Sequence, residues 1–143
     1  MAGRDQRLPV LYLAPWVDIG GSDKGTIDWF RFLDRDRFRP SLITTQPSAN
    51  RRLGEVAPYA DEVWDLPQLM LGHEAARFII GFVRTRGVKV VHIMNSRLGF
   101  ELLPEIASLP GERPLHSTRR AFSCAPASMT LPVIAPVNAS AQG

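Results

Sequence analysis

Gly20-Gly21-Ser22 is the first place in this chain where residue types and spacing point to chemistry. The triplet follows the apolar run Val10-Leu11-Tyr12-Leu13-Ala14 and precedes Asp23-Lys24, so it reads as a strand, a phosphate-sized turn and a helix N-terminus. Glycines lack a Cβ, tolerate positive φ and let backbone N–H groups face a ligand, and the helix behind them adds the positive end of its dipole. The chemistry of such a turn is anion binding. It lacks the third glycine of a dinucleotide fingerprint and the Lys-Ser/Thr of a P-loop, so a purely structural turn is the alternative. Asn95-Ser96-Arg97 is the second candidate, a polar triplet directly after the run Val88–Met94. It can touch a ligand or, through Ser96, simply cap the helix that follows.

The remaining reactive side chains form no catalytic constellation. Asp34-Arg35-Asp36 has the two-carboxylate spacing that one class of sugar transferase uses for a divalent ion on a nucleotide diphosphate. Set among Arg31, Arg37 and Arg39 at a helix end, it reads instead as salt-bridged, solvated surface. His73, His92 and His116 lack metal-ligand spacing, and His92, within a strand, reads as a core or rim histidine. Neither a Ser-His-Asp order nor paired carboxylates stand out, so no catalytic residue, metal or cofactor is assigned. Trp16, Trp29 and Trp64 read as packing residues, with Trp16, beside the glycine turn, the one placed to line a sugar or acceptor pocket.

The elements that must position these residues alternate along the first 110 positions. Strands are expected at Val10–Ala14, Arg39–Thr45, Glu62–Pro67 and Val88–Met94, the last β-branched and apolar enough to be buried on both faces. Helices are expected at Ser22–Asp34, with Ser22 as N-cap; at Glu74–Arg86, with Gly87 as the residue just past its end; and at Leu98–Leu109, interrupted at Pro104. Gly25 weakens the first helix by about 1 kcal/mol relative to alanine. Alternation of this kind predicts an α/β fold, a right-handed, doubly wound parallel sheet. Its strand ends at Pro15–Gly21, Thr45–Ser48 and Asn95–Arg97 share one rim, where open α/β sheets bind ligands.

Size and composition bound what that sheet can be. At 143 residues and 45% hydrophobic content, the chain is one domain's worth of ordinary globular sequence. Its net charge of +3 is spread over both ends rather than concentrated on a face, so nucleic acid is not an expected partner. Cys124, the single cysteine, excludes an internal disulfide and suits a reducing compartment. The short apolar segment after the basic N-terminus lacks a cleavage site, and no run approaches the roughly 20 apolar residues of a membrane span. A cytoplasmic protein is the expectation. Beyond Pro110 the sequence loses periodicity and, after Glu112, acidic residues, and residues 111–143 read as an irregular tail. The prolines of Leu131-Pro132-Val133-Ile134-Ala135-Pro136 argue against a central strand there.

Taken together, three segments resemble the N-terminal half of a GT-B glycosyltransferase, the retaining family-4 type in particular. They are Leu11 through Lys24, Leu33-Asp34-Arg35-Asp36-Arg37-Phe38 before Leu42-Ile43-Thr44-Thr45, and Val90 through Gly99. The resemblance spans residues 8–110 and is most specific at Gly20-Gly21-Ser22-Asp23-Lys24, where that family commonly has Gly-Gly, a small residue and Glu. It implies a Rossmann-like acceptor-side domain whose glycine turn lies beside the donor diphosphate, with Gly20, Gly21, Ser22, Asn95, Ser96 and Arg97 as ligand-binding residues. The nucleotide sugar itself would be held by a second domain carrying Glu-x7-Glu, a spacing that no glutamate pair here shows. It also implies a glycan or lipid-linked acceptor. In that family a further strand ends in a histidine near residue 112, and Arg113-Pro114-Leu115-His116-Ser117 resembles its remnant.

The resemblance therefore implies a partial enzyme, inactive alone, whose change of character after Pro110 is what an out-of-frame read would produce. A free-standing module binding a nucleotide or phosphorylated ligand at the Gly20-Gly21 rim is the alternative. A nicotinamide oxidoreductase is disfavoured by the absent third glycine. With a tail expected to supply no regular covering strand, Val88–Met94 becomes an exposed edge, and marginal stability or self-association is expected.

Overall fold

Leu11, Tyr12, Leu13 and Ala14 are consecutive and all buried. Successive strand residues point to opposite faces, so this strand is covered on both sides. The computed structural model describes residues 5–110 and 128–132. The elements run β1 (Leu8–Ala14), α1 (Gly21–Phe32), β2 (Phe38–Thr44), α2 (Leu53–Val56), β3 (Glu62–Asp65), α3 (Gly72–Thr85), β4 (Val90–Met94), α4 (Arg97–Ser108) and β5 (Ser128–Pro132). Two 3-10 turns, Ala57–Tyr59 and Leu66–Gln68, flank β3.

The sheet order is β3-β2-β1-β4-β5, with the first four strands parallel. This is a Rossmann-like α/β sheet with helices on both faces. Leu11 lies opposite Ser41 and Val91, and Tyr12 opposite Leu42 and His92, so β1 is hydrogen-bonded along both edges. Leu11 and Leu13 enter one core with Ile43, Val91 and Ile93, closed by Ala75, Ile79, Phe82 and Val83 of α3 and Leu102 and Ile106 of α4. Tyr12 and Ala14 enter the other, with Leu42, Ile27 and Phe30 of α1, and Val56 of α2. Each strand or helix end follows from local chemistry. Gly87 adopts φ +61, and the Val88 N–H returns to the Val83 carbonyl at 3.0 Å, closing α3 as its glycine predicts.

Four expectations are corrected. Ser22 is not the N-cap of α1: the helix begins at Gly21 behind an extended Gly20, and no side chain caps it. Neither Gly20 nor Gly21 uses positive φ, which among the described residues falls to Gly87, Asn50 and Asn95. Pro104 lies inside α4 without ending it. Proline deletes one backbone donor, and the burial of Leu102 and Ile106 around it holds the helix together. Finally, the tail does supply a covering strand: β5 pairs antiparallel with β4 from Met94↔Ser128 to Val90↔Pro132. An edge position, with proline as its last residue, satisfies the restriction that excludes proline from a central strand. His116 and Cys124 lie outside the described residues.

β5 shields a strand whose sequence is suited to burial. Removing residues 111–143 exposes the β4 edge, and such edges template intermolecular pairing. A chain ending at Pro110 is expected to show concentration-dependent association in size-exclusion chromatography that the full chain does not. Identical monomeric elution of both would contradict this account of β5.

Candidate functional site

In a sheet of order β3-β2-β1-β4, connections from β1 and β4 leave toward opposite faces. The crevice at their carboxyl ends is where ligands bind in open α/β folds. α1 starts on one side of this crevice and α4 on the other, so two helix N-termini, with their unpaired N–H groups and positive dipole ends, meet there. Gly20, Gly21 and Ser22 are exposed on the α1 side. Asn95, Ser96 and Arg97 form the α4 side. The structure thus brings both sequence-predicted triplets to one rim.

Their roles within it differ. Ser96 is fully buried, and its Oγ accepts from the Gly99 N–H at 3.1 Å while lying 2.7 Å from Thr45 Oγ1. Thr45 Oγ1 in turn reaches the Ala14 carbonyl at 3.3 Å. Ser96 therefore caps α4 and laces β4 to the ends of β1 and β2. Gly99 is required by close approach: a Cβ there would stand 3.0 Å from Ile93 Cγ2 and 3.1 Å from Leu13 Cδ1. Asn95 makes the turn at φ +54, a conformation that asparagine tolerates better than most residues. Arg97 projects into solvent and bonds Glu101 at 2.8 Å.

A second polar network fixes the loops beyond β1, β2 and β3. Asn50 Oδ1 accepts from the Val17 N–H at 2.9 Å, and its Nδ2 donates to Asp65 Oδ2 at 2.9 Å. Thr44 Oγ1 donates to the other Asp65 oxygen at 3.0 Å. Ser48 Oγ donates to Asp18 Oδ2 at 2.8 Å, and Arg51 Nε to Asp18 Oδ1 at 2.6 Å. Hydrogen bonds from Arg51 and Ser48 hold the Asp18 carboxyl below its ordinary range. The sequence reading missed this lacing. Its one local signal was Ser48 and Asn50 in a proline-containing loop, residue types that bond nearby backbone and tolerate φ above zero.

Charge on the rim is largely paired. Lys24 meets Asp28 at 2.6 Å, Arg51 meets Asp18 and Arg52 meets Glu55 at 2.6 Å. The helix ends are left as its main positive feature. On α1 even that end carries an acid, since Asp23, 4% exposed, sits in the first turn.

The other candidates lie apart from the rim. Asp34-Arg35-Asp36 turns between α1 and β2, at the amino ends of the strands, where Asp34 Oδ1 accepts the Asp36 N–H at 3.0 Å and Arg35 bonds the Pro58 carbonyl. Arg39 pairs not with these carboxylates but with Asp5 and Asp61. Among the described residues no group of three or more His, Cys, Asp or Glu could hold a metal ion. Trp29 stacks on His92, and Trp64 packs on Phe78, while Trp16 remains 37% exposed on the rim. His73 is exposed on α3. His92 is buried against Tyr12, ring centroids 4.6 Å apart, and desolvation pushes its pKa down to about 4. No known family model matches this chain, and no curated protein matches it.

Two measurements check this description. Ser96→Ala removes the α4 cap and strands Thr45, and is expected to lower unfolding stability by about 1–2 kcal/mol in urea. A loss under about 0.3 kcal/mol, within the scatter of surface substitutions, would remove the lacing role. His92 binds a proton more weakly folded than unfolded, so its stabilising contribution is complete above about pH 6.5 and is lost as pH falls toward 4. Unfolding free energy is expected to drop by about 2 kcal/mol between pH 7 and pH 5, and His92→Gln to abolish that slope.

Proposed function

We infer that this chain is the acceptor-side domain of a GT-B-type glycosyltransferase of the retaining family-4 kind. The observation that carries this reading is the crevice between β1 and β4. It has two helix N-termini aimed at it, yet the α1 end already holds a buried carboxylate and the nearby cations are committed to acids. A site built to grip a nucleotide diphosphate unaided needs anion-selective donors and free cations. A rim with one open helix end suits instead a half-site, facing a second domain that holds the nucleotide sugar.

On this reading the α4 N-terminus, from Asn95 to Leu98, faces the diphosphate and contributes dipole and backbone N–H groups. The Gly20–Ser22 side faces the glycan or lipid-linked acceptor. No residue of this chain is assigned as an acid, base or nucleophile: its contribution is orientation and electrostatics at the leaving group. A cytoplasmic setting belongs to the same proposal. No described helix is long and apolar enough to cross a membrane.

Titration of the full chain with uridine and guanosine diphosphates, followed by amide NMR, tests this. Shifts confined to Asn95–Leu98, with a dissociation constant weaker than about 0.1 mM, are the expected result, together with no sugar transfer from nucleotide sugars by this chain alone. Micromolar binding would favour a free-standing nucleotide-binding module. Absence of shifts in the crevice at 10 mM, a flagged upper limit of roughly −3 kcal/mol, or transfer by the chain alone, would overturn the half-site.

A further inference from the structure

Asp23 is the least expected group on the rim. It is 4% exposed, in the first turn of a helix whose N–H groups would otherwise suit an anion. Among the described residues its carboxylate takes part in no hydrogen bond or ion pair, and it senses only the more distant Tyr12 hydroxyl and Arg52. Arg52 is bonded to Glu55, and the adjacent Thr26 hydroxyl is committed to Tyr12 at 3.0 Å. A buried carboxylate without a donor is costly, so its persistence points to a donor that arrives from outside. The way in passes Gly20. One Asp23 oxygen lies 2.8 Å from where a Cβ on residue 20 would stand, so any side chain there would displace or cover the carboxylate. Gly20 has an extended backbone that any residue adopts, which leaves this approach as the reason for glycine.

We propose that the Gly20–Asp23 corner of the rim binds hydroxyl groups of a neutral carbohydrate, with the Asp23 carboxylate as their acceptor. This rests on the glycosyltransferase reading and gives its acceptor side a chemical identity. A hydroxyl both donates and accepts, so it satisfies the carboxylate and takes a hydrogen bond from the exposed N–H groups of Gly21 and Ser22. Phosphate fails on both counts: at neutral pH it offers little or no donor, and it brings negative charge against Asp23. A simple cation would meet the carboxylate but leave those N–H donors unmatched. Trp16, exposed on the same β1–α1 loop, supplies the flat apolar face on which a sugar ring packs.

Amide NMR of the full chain with neutral methyl glycosides and disaccharides, and separately with inorganic pyrophosphate, distinguishes these. Glycosides are expected to shift Gly20–Lys24, and pyrophosphate to leave those amides in place. Asp23→Asn is expected to weaken the glycoside response about tenfold, the loss of one charge-assisted hydrogen bond. Gly20→Ala, an exposed position whose new Cβ meets only the Asp23 side chain, is expected to abolish it with the thermal midpoint nearly unchanged. Pyrophosphate shifting Gly20–Lys24 at lower concentration than any glycoside would overturn the proposal, as would an unchanged glycoside response in Asp23→Asn. So would the absence of any glycoside shift in the wild-type chain, which settles the matter even if a variant fails to fold. Nucleotide shifts at Asn95–Leu98 report separately on the glycosyltransferase reading, so either can fail alone.

Discussion

Everything in this molecule hangs on β1 being hydrogen-bonded along both edges while its side chains alternate into two separate cores. Leu11 and Leu13 bind the sheet to α3 and α4, and Tyr12 and Ala14 bind it to α1 and α2. A one-residue slip would exchange these sets between cores of different shape, so the register is held from both faces. Because β1 and β4 are neighbours and their following helices leave to opposite sides, the crevice between them is a consequence of that register rather than a separate feature.

Hydrogen bonding then decides which rim groups are left for a ligand. Ser96, Thr45, Asn50, Asp65, Ser48 and Asp18 spend their polar atoms on one another and on loop backbone. These bonds join the loops after β1, β2, β3 and β4 into a single rigid edge. Ser96 had looked like a ligand contact from sequence, and the structure gives its oxygen to α4 and Thr45. What survives this internal satisfaction is short: the first N–H groups of two helices, the Asp23 carboxylate and the exposed ring of Trp16.

The two helix ends are chemically distinct. α1 carries an acid in its first turn and α4 carries none. Placed across one crevice, they divide it into a side suited to neutral donors and acceptors and a side suited to negative charge. That division is what a group-transfer half-site requires, since an acceptor hydroxyl and a leaving phosphate must lie close without competing for the same donors.

Element types were legible in the sequence because local chemistry set them. Val10–Ala14 and Val88–Met94 are apolar and β-branched enough to be buried strands, Gly87 is a helix end that only positive φ explains, and Ser96 sits one turn ahead of an apolar periodic stretch. From these the parallel sheet and its rim follow. Other features were decided by parts of the chain distant in sequence. Ser22 lost its capping role to the extended Gly20, whose purpose is visible only once Asp23 is seen folded back against it. Asn50 meets Asp65, and Thr45 meets Ser96, across 15 and 51 positions of sequence. β5 found its place on β4 because an unpaired strand edge accepts a backbone partner with little regard to side-chain pattern. Periodicity and turn residues encode what neighbours along the chain do to each other, whereas burial and hydrogen-bond satisfaction depend on what the fold brings alongside, and the candidate site is made of the latter.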